Sequence, residues 1–228
     1  MSKFYAIQQA GRTADIYIFG YIMEQAFWAD ETAAADIIQE INALDAERIN
    51  VHIDCYGGSV SAGWAIYNAL REHPAQVVTY GDGFIASAAL YPFLAGDERR
   101  ASSLSAYFLH EVMTGADGYA KDLRAAADEA EKFTEIGMTA FIERAGMTAE
   151  RVAELMEAET WLSPQEALDE GIATAVISDT LPRMAQSAKR DFIQRLIKAP
   201  EQKTPPKVDP VPKKKPGLMQ IMAGNFED

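Results

Sequence analysis

Gly81-Asp82-Gly83-Phe84-Ile85-Ala86-Ser87-Ala88-Ala89-Leu90 is the stretch on which the reading of the fold turns. A short apolar, β-branched pattern over residues 76–80 precedes it. The chain then turns on two glycines and enters a run of small and apolar residues with helical character. One hydroxyl, Ser87, falls where that helix should begin. A helix start offers unpaired backbone N–H groups and a partial positive charge, so a serine there has anion-stabilising donors beside it. The layout places a nucleophile on a strand-to-helix turn, although it lacks the G-x-S-x-G spacing of the α/β-hydrolase elbow. Taken alone, the same ten residues better suit a small side chain at a tight crossing inside a core.

Working outward, strand and helix patterns alternate. Residues 14–20 are β-branched and aromatic on both faces, as in a strand covered on two sides. Residues 31–44 place Ala34, Ile37, Ile38, Ile41 and Leu44 at three- and four-residue steps, an amphipathic helix with Asp30 as expected N-cap. Ile49, Val51 and Ile53 alternate with polar residues in a second strand, which ends in Cys55-Tyr56-Gly57-Gly58-Ser59 before a helix from Val60 to about Glu72. After Ser87 comes a short helix in which Pro92 is tolerated only if the helix begins late or kinks. Residues 96–103 read as a polar turn and residues 105–109 as a strand, with His110 directly after it. A long helix with one apolar stripe follows over residues 119–145. Thr148 caps a shorter helix, and Ser163-Pro164-Gln165-Glu166 is a capping box with Gly171 as the matching stop. Residues 172–177 read as the last strand. Such alternation predicts an α/β fold with mostly parallel strands.

Composition narrows the classes of function. The 228 residues carry a net charge of −13, with 16 basic and 30 acidic side chains before residue 199, which argues against nucleic acid as the main partner. A single cysteine, Cys55, excludes an internal disulfide and fits a reducing, cytoplasmic setting. The first residues lack the apolar run of a signal peptide, and no apolar run approaches the roughly 18 residues of a membrane span. Residues 1–198 read as one domain. Residues 199–228 hold six of the ten prolines and Lys213-Lys214-Lys215, and read as a disordered linker or tail.

Four features stand at strand ends. Gly57-Gly58 lies at one strand-to-helix turn and Ser87 at the next, 29 residues beyond Gly58; His110 follows a strand 23 residues after Ser87, and Glu159 precedes Trp161-Leu162-Ser163. Carboxyl ends of parallel strands converge in one crevice. On Gly57-Gly58-Ser59-Val60 with Gly63, Ile66 and Tyr67, on Gly83-Phe84-Ile85-Ala86-Ser87-Ala88-Ala89, on Leu109-His110 and on the run from Trp161 to Gly171, the chain resembles the Clp-type serine peptidases, the ClpP family within the crotonase-like fold. The resemblance spans about residues 14–178. It implies repeated ββα units with a long interface helix, Ser87 as nucleophile, His110 as general base, and the backbone N–H groups of Gly58 and Ala88 as an oxyanion hole. It implies a ring-like homo-oligomer acting on polypeptides, without metal or other cofactor.

Two departures carry expectations of their own. The family's third catalytic member is usually aspartate, whereas alignment on Trp161-Leu162-Ser163 puts Glu159 there; Asp117 and Glu111 are the other acids in reach. His52, His73 and Cys55 read as structural. The Glu159-Thr160-Trp161 wording, the few residues before the first strand and the Pro/Lys tail are similar to the phage and prophage branch. That likeness implies head-maturation proteases that process capsid, portal or scaffold proteins in the bacterial host cytoplasm. The alternatives are a housekeeping Clp proteolytic subunit working with an ATPase, an acyl-CoA enzyme of the crotonase type sharing the oxyanion hole, and a catalytically silent capsid-assembly protein.

Overall fold

A computed structural model describes residues 5–24 and 31–178. The tail from residue 199 and the cap expected at Asp30 lie outside these. Chain order is β1 (Tyr5–Ala10), β2 (Thr13–Met23), β3 (Glu31–Ala33), α1 (Ala34–Asn42), β4 (Arg48–Gly58), α2 (Val60–Glu72) and β5 (Gln76–Ala86). One 3-10 turn, Ser87–Ala89, leads into α3 (Leu90–Leu94), β6 (Glu98–Ser102), β7 (Ala106–Leu109), α4 (Ala120–Ala145), α5 (Ala149–Glu157), β8 (Thr160–Leu162), α6 (Pro164–Asp169) and β9 (Ala175–Ile177). The fold is the mixed α/β arrangement with mostly parallel strands that the alternation implied.

The sheet runs β1-β2-β4-β5-β6-β9, parallel except for β1. Alternation along the strands decides its two faces. Ile16, Ile18, Ile49, Val51 and Ile53 are fully buried against Ile37 and Ile41 of α1 and Ile66 and Leu70 of α2. Each such side chain contributes about 1.5–3 kcal/mol on burial. On the opposite face His52 is sandwiched between Tyr17 and Tyr80, with ring centroids 4.8 and 4.6 Å away, and its Nδ1 lies 2.9 Å from Asp82 Oδ2.

The sheet forks at β5, and the fork creates the site. Val78–Gly81 pair with β6, whereas Phe84–Ala86 pair with β7, which in turn pairs antiparallel with β8. Between the two halves, Ile53 faces Gly81 and Cys55 faces Ile85, so Asp54 alone opposes three residues of β5. The Asp54 carboxylate fills that bulge and accepts the Phe84 N–H at 3.0 Å. A β-carbon at Gly83 would collide with this carboxylate, which is why a glycine stands there.

Several elements differ from the sequence expectation. The helix expected over residues 31–44 is shorter, because Glu31–Ala33 extend along Tyr21–Met23 as β3 and leave Ala33, without a side-chain cap, to open α1. The polar turn expected at 96–103 contains β6: Arg99 points inward and donates to the carbonyls of Gly96, Arg144, Gly171 and Ile172 at 2.8–3.1 Å. β1 and β8 have no counterpart in the sequence reading. Pro92 is accommodated because the 3-10 turn delays α3 to Leu90, so the proline falls in the first helical turn. The caps expected at Thr148 and Ser163 are in place, the latter as a reciprocal capping box with Glu166, and Ser59 caps α2 in addition.

Candidate active site

Ser87 is the first residue beyond β5 and sits at φ 56°, a left-handed conformation that costs a non-glycine residue roughly 1–2 kcal/mol. Its surroundings hold it there. Gly57, at φ 94°, lies so close that a β-carbon on it would fall 2.6 Å from Ala86 O, 2.7 Å from Ser87 Cβ and 2.9 Å from Ala88 N. Behind the turn, all five residues of α3 are buried. The Ser87 side chain lines a cavity at this turn.

His110 arrives by register. Ala86 pairs with Phe108, so the residues just past each strand end are neighbours, and His110 Nε2 lies 2.7 Å from Ser87 Oγ. The Phe108 ring lies against the imidazole with centroids 5.3 Å apart, fixing its plane. Beyond His110 the loop is tied to α4 by the Val112 N–H, which donates to Thr134 Oγ1 at 2.9 Å.

Ser87, His110, Gly58 and Ala88 line one cavity of about 280 Å³. Gly58, at φ 137°, runs against the carbonyl of Ile22 where a side chain would stand, which leaves its backbone open to the cavity. Most of the remaining lining is apolar or aromatic: Tyr21, Tyr56, Leu90, Phe108, Met113 and Phe141 among others. The sequence reading did not assign these residues to the site. Their signal was available only as large side chains beside the glycine turns.

The three acids stand differently. Leu109 pairs antiparallel with Thr160, which sets Glu159 across from His110, with Glu159 itself at φ 47°. Its side chain is exposed, and among the described residues no hydrogen bond joins it to the imidazole. Glu111 lines the cavity, while Asp117 is exposed on the loop before α4. The remaining candidates are accounted for by packing. Burial pushes the Cys55 thiol up to about 12, with its sulfur accepting the Gly57 N–H, so no thiolate forms at neutral pH. His73 Nδ1 accepts the Ala75 N–H and its Nε2 faces Leu44 O.

A serine hydroxyl within hydrogen-bond reach of an imidazole, on a strand-end turn in a cavity also lined by Gly58 and Ala88, is suited to acyl transfer. Similarity to known proteins points the same way. Residues 20–180 match the Clp protease family model. The chain is 32% identical over 158 residues to the ATP-dependent Clp protease proteolytic subunit 2 of Corynebacterium glutamicum, covering 65% of this chain and 77% of the relative. It is 28% identical over 188 residues to the proteolytic subunit of Deinococcus radiodurans, covering 77% and 92%. Among solved structures, a ClpP1 variant from Listeria monocytogenes superposes with a TM-score of 0.62 at 25% identity, over 74% of this chain and 92% of that one. Since the family model spans most of the chain, and the β5 turn and the β7 end lie within it, the chain belongs to the Clp protease family of serine endopeptidases.

Proposed function

We propose that the chain hydrolyses peptide bonds with Ser87 as nucleophile and His110 as general base. The observation that carries this is the 2.7 Å approach of His110 Nε2 to Ser87 Oγ. The imidazole takes the hydroxyl proton as Oγ adds to the scissile carbonyl, and the N–H groups of Gly58 and Ala88 receive the oxyanion, each donor contributing roughly 3–4 kcal/mol. His110 then delivers the proton to the leaving amine, and water repeats the cycle on the acyl-enzyme. Glu159 swings onto Nδ1 from its position opposite His110 and stabilises the imidazolium. The working particle is a ring-like homo-oligomer in the cytoplasm. A fluorophosphonate probe should label the wild type and leave Ser87→Ala unlabelled; labelling that persists in the variant would place the nucleophile elsewhere. An acyl-CoA enzyme or a silent assembly protein would show no such labelling.

Within that chemistry, the biological setting we favour is head maturation of a phage, the substrates being capsid, portal or scaffold proteins. The Glu159-Thr160-Trp161 wording and the Pro/Lys-rich residues 199–228 support this. The competing setting is a housekeeping Clp subunit that receives unfolded chains from an ATPase; the names of the relatives, ATP-dependent proteolytic subunits, favour it. The two separate on substrate. Purified protein alone should trim an assembled capsid or portal protein in the first case, and should degrade a folded substrate only with an unfoldase and ATP in the second.

A further inference from the structure

The outer face of the sheet carries a continuous row of rings that ends on the general base. Tyr21 on β2 meets Tyr56 on β4 with centroids 5.6 Å apart, and Tyr56 meets Phe84 on β5 at 5.3 Å. Phe84 meets Trp161 on β8 at 5.6 Å, Trp161 stacks on Phe108 of β7 at 4.6 Å, and Phe108 lies against His110. Strand alternation explains the alignment. The chain neighbours Ile22, Cys55, Ile85, Leu109 and Leu162 are buried, so these five rings project to the other side.

Four of the rings are open to solvent: Tyr21 is 44% exposed, Tyr56 49%, Phe84 40% and Trp161 51%. An apolar surface of this continuity is uncommon without an occupant. Its position identifies the occupant. Tyr21, Tyr56 and Phe108 also line the cavity that holds Ser87, whereas Phe84 and Trp161 lie beyond it. A second copy of the chain seated on the row would cover the cavity wall and shut Ser87 off from a polypeptide.

We propose that the row prolongs the substrate path past the scissile bond. It binds an extended polypeptide that presents large apolar or aromatic side chains at alternate positions several residues from the cleaved bond. This rests on the reading of Ser87 and His110 as a hydrolytic pair. Side chains on one side of an extended strand repeat every ~6.6–6.8 Å. The exposed rings step by 5.3–5.6 Å, a shorter interval, so two alternate side chains can meet successive rings before the registers diverge. Exposed ring faces and edges accept such groups in offset-stacked or edge-on contact.

The test uses two families of fluorogenic peptides that share one cleavable core. Each is extended on the amino or the carboxyl side by residues carrying either two phenylalanines or two serines at alternate positions. The full-length wild type should favour the phenylalanine extension on one side by about tenfold or more in kcat/KM, the sum expected of two aromatic contacts. The Phe84→Thr/Trp161→Thr variant should lose most of that ratio. Phe84→Thr alone, a β-compatible change at an exposed strand position, guards against a folding defect in the double variant. Anisotropy of the same labelled peptides on Ser87→Ala reads binding without turnover. Discrimination there, with no hydrolysis by the wild type, would sink the hydrolytic reading and leave the row standing. A wild type indifferent to the extension in both assays would overturn the proposal. So would a double variant that keeps the full ratio, including one whose only change is a smaller particle by light scattering, which would assign the row to a subunit interface.

Discussion

In the proposed mechanism Ser87 and His110 depend on each other, which fixes how their removal should behave. A hydroxyl without the imidazole is a poor nucleophile, and an imidazole without the hydroxyl has nothing to activate. Ser87→Ala and His110→Ala should therefore each lower peptidase turnover by about 10⁴–10⁶, and the double variant should be little slower than either, as for residues that act as a unit. Additive losses would show that they act separately. Glu159 presents a different case, since its carboxylate stands opposite His110 without bonding to it. If it engages during the reaction, Glu159→Gln should reduce the rate by about 10²–10⁴ while leaving the melting temperature unchanged, and Glu159→Asp should retain more activity than Glu159→Gln. Wild-type turnover in Glu159→Gln, together with failure of Asp117→Asn, would move the role to the loop acid. Arg99 illustrates a residue that works on stability alone. Burial draws its guanidinium down to about 10, yet it still serves four carbonyls at the ends of α3, α4 and α6. Arg99→Leu strips those acceptors of their shared donor, at about 1–3 kcal/mol for each group left unsatisfied. The loss should total roughly 3–5 kcal/mol after water and Arg144 compensate in part, read as a lower urea midpoint. Arg99→Lys should recover less than half, because an ammonium cannot reach acceptors spread around a plane.

The elements differ in how openly the sequence announced them. α5 and α6 were legible from their caps, because Thr148 and Ser163 each accept a backbone N–H at the helix start, as Ser59 also does for α2. Ser87 and His110 were legible as strand-end residues in α/β order. β3 and β6 were not: Glu31–Ala33 is helix-prone, and Glu98–Ser102 reads as a charged turn until Arg99 finds its carbonyls. β8 was hidden by its three-residue length, and with it the register that sets Glu159 opposite His110. Such short strands exist because a neighbouring edge recruits them, a tertiary effect that local propensity does not encode. α4 carries a prediction of its own. It was expected to bear an interface, and of its 26 residues only Gly137 and Phe141 are buried, while Leu123, Phe133, Ile136 and Ile142 keep between 37% and 47% of their surface exposed. A helix about 39 Å long with this much exposed apolar surface is suited to join protomers. Native mass spectrometry should show a species of several protomers, and Phe133→Lys should shift it toward smaller ones. A fully active wild-type monomer would end the idea.

At the scale of the molecule, the parts proposed to act in catalysis all lie within the described residues. The sheet from β1 to β9, both strand-end turns and the cavity lie within residues 5–178, and the Clp protease match stops at residue 180. Residues 199–228 contribute six prolines and three consecutive lysines to a chain that is otherwise acidic. Proline lacks the N–H that a helix interior or a central strand requires, so this composition adds little that a packed domain could use. A chain stopped at Lys198 should therefore keep its peptidase rate on short substrates within about twofold and its melting temperature within a few degrees, as for a change outside the cooperative unit. Loss of folding or of turnover on truncation would show that the segment packs on the domain. The same segment is accessible to a second question, because Leu218-Met219-Gln220-Ile221-Met222 places apolar side chains in an otherwise polar stretch. If the enzyme trims itself there, tail peptides should appear by mass spectrometry as the wild type is incubated and should be missing from Ser87→Ala. Release at equal rates from both would assign the cut to a contaminating protease.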